Sequence, residues 1–131
     1  MYPSRKAVHE HETGLGLRLE AKNECNVEIN ILIPGDQRYD YIDNIYLSDI
    51  DILVASHHGG EYSWSKRKNV HDDIPEPRCS DSSLLIYSYG AGDSKPNTHG
   101  HPSKTSEYRL KKWVNAHHTP SNNDYCMTIR V

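Results

Sequence analysis

From residue 15 to 20, Leu15, Leu17 and Leu19 alternate with Gly16, Arg18 and Glu20, the two-residue period of a half-buried strand. A turn through Ala21-Lys22-Asn23-Glu24 leads into a second apolar run over residues 27 to 33, so the pair predicts a hairpin. That run stops at Pro34-Gly35-Asp36. Residues 40 to 46 read as a short helical or irregular connection. Residues 51 to 56 predict a third strand, apolar along most of its length as buried strands are. Further strands are predicted over 84 to 89 and 125 to 131. Leu110, Trp113, Val114 and His117 follow the spacing i, i+3, i+4, i+7, which predicts a helix from about residue 104 to 116. Ser103 is its candidate N-cap, and His117-His118 would face the negative end of its dipole.

Two stretches break this periodicity. Residues 59 to 82 form a long polar loop with Trp64 and a Lys66-Arg67-Lys68 cluster, and loops of that length often serve as lids or binding loops. A Gly- and Pro-rich connection runs from Gly90 to Pro102. No internal repeat or second domain is visible, and 131 residues suit one domain. Composition narrows the picture. Hydrophobic residues make up 35%, Phe is absent and Tyr occurs 9 times, so the core is thin and built from amphipathic rings. Mean hydropathy is -0.81, which describes a marginal or partner-dependent domain.

A formal charge of -3 supplies no basic field to hold nucleic acid by electrostatics alone. Cys25, Cys79 and Cys126 are odd in number, widely spaced and without a CxxC, against both a disulfide framework and a cysteine zinc site. The N-terminus lacks the apolar stretch of a signal peptide and no window is long enough to span a membrane, so a cytoplasmic location is expected.

The chemistry concentrates in Asp51-Ile52-Leu53-Val54-Ala55-Ser56-His57-His58-Gly59-Gly60, a strand that ends abruptly in paired histidines and glycines. Glycines there let the backbone turn sharply and leave room for a ligand beside the imidazoles. Asp36, His57-His58 and the segment from His99 to Pro102 each follow a predicted strand or its extension. In open α/β sheets, such strand ends are where sites form. A carboxylate with imidazoles suits zinc or manganese. Phosphate-binding and dinucleotide-binding glycine motifs are absent, and Ser63 beside Glu61 has no spacing that builds a serine nucleophile.

The ordered set Leu32-Ile33-Pro34-Gly35-Asp36, Val54-Ala55-Ser56-His57-His58-Gly59-Gly60, Ser88-Tyr89-Gly90 and Asn97-Thr98-His99-Gly100-His101-Pro102 resembles the C-terminal half of metallo-β-lactamase-fold hydrolases. The branch it is most similar to includes the hydrolase domain of DNA-internalisation competence proteins. The resemblance extends from about Leu15 to Trp113. It implies an α/β fold that is half of an αββα sandwich, a mixed sheet with one main C-terminal helix. It also implies that Asp36 bridges two zinc or manganese ions and that one histidine of the pair is a ligand. His58, next to the glycine turn, is favoured, with His57 orienting the site from behind. His101 would contact substrate or transition state, with Asn97, His99 and Ser88 at the substrate side; the family carries Tyr where this chain has His99.

The family's first motif, His-x-His-x-Asp-His, is missing. His9-Glu10-His11-Glu12-Thr13-Gly14 begins like it, but Thr13 and Gly14 stand in place of its Asp and His, and the segment reads as a solvated terminus. The resemblance therefore implies a fragment or split half completed by a partner chain or a missing N-terminal half. Completed, it would hydrolyse a phosphodiester or related ester, such as nucleic acid or a nucleotide, through a metal-held hydroxide. The alternative is a non-catalytic metal-binding or assembly module that keeps half of the hydrolase fold.

Overall fold

The computed structural model describes residues 14–61, 72–89 and 100–119. Strands β1 (Leu17–Lys22) and β2 (Glu28–Ile33) form the predicted hairpin, with Leu17 opposite Ile33 and Lys22 opposite Glu28. Its turn closes where Asn23 and Val27 pair through their backbones and the Asn23 side chain accepts from the Val27 amide. Strands β3 (Ile52–Val54), β4 (Leu84–Tyr87) and β5 (Ala116–His118) then add in parallel, giving a five-stranded mixed sheet in the order β1-β2-β3-β4-β5.

Register puts Leu32, Leu53 and Leu85 side by side on one face, all fully buried. Tyr39, Ile42, Ile50, Ile74, Tyr108 and Trp113 close over them and form the core with Tyr87. Three tyrosines and a tryptophan are its largest fully buried side chains, as the Phe-free composition leads one to expect. The opposite face carries Leu17, Leu19, Ile31, Ile33, Val54 and Ile86 in register and is only partly covered. Leu17 and Leu19 are 36% and 44% exposed, so the leucine stripe of β1 is less buried than its alternation predicted.

The connection over 40 to 46 is short and helical, formed by two one-turn 3-10 helices, Tyr39–Tyr41 and Asn44–Tyr46. The end of the predicted polar loop belongs to the fold. Ile74 is buried, Pro77 bridges to Ile50, and the Arg78 amide donates to the Ile50 carbonyl. Trp64 and the Lys66-Arg67-Lys68 cluster lie outside the described residues, as does the predicted strand over 125 to 131.

The C-terminal helix is shorter than its periodicity predicted. Helix α1 spans Thr105–Leu110, and Lys104, not Ser103, stands at its N-cap with no side-chain cap bond. It ends because Trp113 is drawn inward: Lys112 takes a φ of 69°, the Trp113 amide reaches back to the Tyr108 carbonyl, and the indole donates to Pro75 O at 2.7 Å. Leu110 and Val114, expected on the buried stripe with Trp113, remain exposed. The chain then extends along the open edge of β4, with the Leu85 amide donating to Asn115 O. His117 and His118 accordingly lie in β5, where the unpaired edge of β4 outweighs the helical pattern. Among the described residues no helix is long and apolar enough to cross a membrane.

Candidate functional site

Strands β2, β3 and β4 run parallel, so the segments after them emerge at one end of the sheet. Asp36 follows β2, the His57-His58 turn follows β3 and Ser88 follows β4. Leaving β3, the backbone enters the left-handed region at consecutive non-glycine residues, with φ 48° at His57 and 55° at His58. Such a conformation is held only where the surroundings over-determine it. Here the His57 amide donates to Gly35 O at 3.1 Å, and the Gly60 amide donates back to His57 O at 2.8 Å.

The turn sends its two imidazoles to different places. His57 is buried, and its Nδ1 lies 4.0 Å from Asp36 Oδ1, whose carboxylate is 64% exposed. His58 is exposed, and its ring centre stands 6.1 Å from that of His101. The histidine nearer the carboxylate is thus His57, while His58, the ligand the sequence favoured, stands beside His101.

His101 arrives from the third segment. A Cβ on Gly60 would collide with the His101 ring and lie 2.9 Å from His57 O, so the imidazole packs directly on the glycine. A Cβ on Gly59 would lie 2.6 Å from the Tyr87 ring and 2.9 Å from Pro102. The Ser103 and Lys104 amides donate to Gly59 O at 3.2 and 3.1 Å, docking the head of α1 onto the turn. Both glycines are therefore required by close packing. Burial pushes the Tyr87 phenol, beneath the turn, far above its ordinary range, and neighbouring Tyr108 adds to the effect.

The structure thus brings Asp36 to His57 and His58 to His101. Ser88 is exposed at the same sheet end, and Asn97 and His99 lie outside the described residues, as do His9 and His11. No protein-family model, curated protein or solved structure matches this chain. The chemistry must be judged from the donors themselves. A tetrahedral ion bonded to a carboxylate oxygen and an imidazole nitrogen holds them about 3.4 Å apart. At 4.0 Å, Asp36 and His57 fit such an ion with a small inward shift of the exposed carboxylate. Among the described residues, however, no group of three or more His, Cys, Asp and Glu side chains is gathered to hold a metal.

Residues that sequence reasoning passed over lie just behind the pair. Ser56 Oγ donates to Gln37 O at 2.6 Å, and the Ser56 amide donates to Tyr39 Oη at 3.1 Å. Tyr39 and Tyr108 share a hydroxyl–hydroxyl bond of 3.0 Å. Gln37 is fully buried next to Asp36, and its side-chain amide makes no hydrogen bond among the described residues. The position of Ser56, between a buried strand and the histidines, was the only local signal; its partners are distant in sequence.

Proposed function

We propose that this chain carries one wall of a metal-dependent hydrolase site, on half of a metallo-β-lactamase-like sandwich, and acts on a phosphodiester or related ester. The observation that carries this reading is the 4.0 Å approach of His57 to Asp36 at the ends of adjacent parallel strands. Asp36 and His57 are the ligands in this reading, and His57 replaces His58 in that role because it faces the carboxylate. The partly covered face through Leu17, Leu19, Ile31 and Ile33 supports a second layer packing there. Two donors leave positions to be filled, and the remaining ligands come from a partner chain or from residues outside those described.

A zinc or manganese ion bound here would lower the pKa of water and neutralise charge on the attacked phosphorus centre. Asp36 would hold such an ion through its carboxylate, and His57, oriented by its buried setting, would hold it through one ring nitrogen. Exposed His58 and half-buried His101 stand at the rim, where imidazole N–H groups would hold an ester oxygen and a proton for the leaving group. Free, exposed Cys25 and Cys79 support work in a reducing, cytoplasmic setting.

The absence of a three-ligand group among the described residues favours a second reading, a metal-binding or assembly module without turnover. Titrating the purified chain with Mn2+ and Zn2+, and assaying bis(p-nitrophenyl) phosphate hydrolysis, separates the two. The hydrolase reading expects metal-dependent turnover that Asp36→Ala and His57→Ala abolish and His101→Ala reduces. Metal binding without turnover, even with a co-expressed neighbouring gene product, selects the metal-binding module; no binding at all rejects the hydrolase and leaves only assembly.

A further inference from the structure

We propose that Ser56 is the positioning residue of this site and that Tyr39 and Tyr108 hold it in place. The inference rests on the reading of Asp36 and His57 as metal ligands and adds what sets the distance between them. Ser56 is fully buried, and its Oγ donates to Gln37 O at 2.6 Å. The amide of the next residue, His57, donates to Gly35 O at 3.1 Å. These bonds grip the backbone on both flanks of Asp36, and both come from the dipeptide that carries the His57 imidazole. Asp36 therefore moves with His57.

The grip is secured from behind. Tyr39 Oη accepts the Ser56 amide, and it pairs with Tyr108 Oη at 3.0 Å. Tyr39 and Tyr108 are both fully buried. Tyr108 belongs to α1, whose head is tied to Gly59 O through Ser103 and Lys104. A closed circuit results: the Asp36 loop, the histidine turn and the helix that follows His101 are linked by hydroxyls and amides of buried residues. Serine hydroxyls usually bond their own neighbourhood. This one reaches a carbonyl 19 residues away, at the flank of the carboxylate. Groups behind a metal ligand that fix its orientation commonly change metal affinity by roughly 10- to 100-fold when removed.

The test uses the full chain as Ser56→Ala, Ser56→Thr and Tyr108→Phe, with Mn2+ affinity read by electron paramagnetic resonance and amide hydrogen exchange read by residue. Ser56→Ala is expected to weaken Mn2+ binding roughly tenfold or more. It should also speed exchange at the His57 amide, while the Leu84 and Leu85 amides, bonded to Asp51 and Asn115, keep their protection. Ser56→Thr, which keeps the hydroxyl, should restore both, and Tyr108→Phe should speed exchange at the Ser56 amide. Equal Mn2+ affinity in Ser56→Ala and the parent overturns the positioning role alone. So does loss of protection at His57, Leu84 and Leu85 together, the signature of a merely structural residue. A parent chain that binds no Mn2+ overturns the ligand reading itself and the inference with it.

Discussion

Gly59→Ala tests whether the histidine turn is held by packing or only by its backbone. Gly59 sits at φ +80°, where any Cβ is strained, and the added methyl would lie 2.6 Å from two carbons of the buried Tyr87 ring and 2.9 Å from Pro102. The left-handed conformation costs about 1–2 kcal/mol for a non-glycine residue. Overpacking against an immobile ring costs about 1–3 kcal/mol more. Gly100 provides the internal control, since its φ is +65° and no described residue lies within 4 Å of its would-be Cβ. Gly100→Ala should therefore lose only the backbone part. The difference between the variants, about 1–3 kcal/mol, isolates the contact of the turn with Tyr87 and Pro102. Urea unfolding followed by far-ultraviolet circular dichroism measures both, and a gap of this size separates their melting temperatures by roughly 4–12 °C in a chain of this length. Equal destabilisation, within about 0.5 kcal/mol, would refute the packing described for the turn.

Gly60→Ala acts differently: its φ of -88° suits any residue, but the methyl enters the space of the His101 ring. Histidine ring NMR signals should show His101 displaced while the fold persists; an unmoved ring contradicts the geometry. At Cys79, a hydrogen bond from the Ser82 side chain, then backbone amides of Asp81 and Ser82, hold the thiol below its usual range, so more thiolate is present at neutral pH. Iodoacetamide should accordingly modify Cys79 faster in the parent than in Ser82→Ala, and equal rates would remove the assigned cause. Tyr87 ionises at higher pH folded than unfolded, so its buried phenol favours the fold below about pH 10 and that contribution is lost as pH rises further. The urea midpoint of the parent should fall more steeply above pH 10 than that of Tyr87→Phe, and parallel profiles would count against this burial effect.

The mixed sheet was legible because its strands carry strong local signals. Leu17 and Leu19 alternate with charges, Ile29 to Ile33 is nearly continuous apolar chain, and β3 and β4 are short apolar runs between turns. The helix after Pro102 was legible only in its first turns. A 3.6-residue period through Leu110, Trp113, Val114 and His117 carries no information about the Pro75 carbonyl that captures the indole, or about the open edge of β4 that captures residues 116–118. Which histidine of the pair lies nearer Asp36 was not legible for a related reason. Adjacent residues in left-handed conformations send their side chains to opposite surroundings, and which one faces Asp36 depends on a hydrogen bond to Gly35 from a different strand end.

Residue order alone determined that an aspartate and a histidine pair follow apolar strands, since apolar periodicity and glycine turns act over a few neighbouring residues. Only the tertiary structure decided that His57 rather than His58 meets Asp36, that His101 rests on Gly60, and that Ser56, Tyr39 and Tyr108 lie behind them in one buried circuit. The physical reason is that each of these contacts joins groups far apart in sequence, and buried polar groups take whichever partner the packed strands bring within reach.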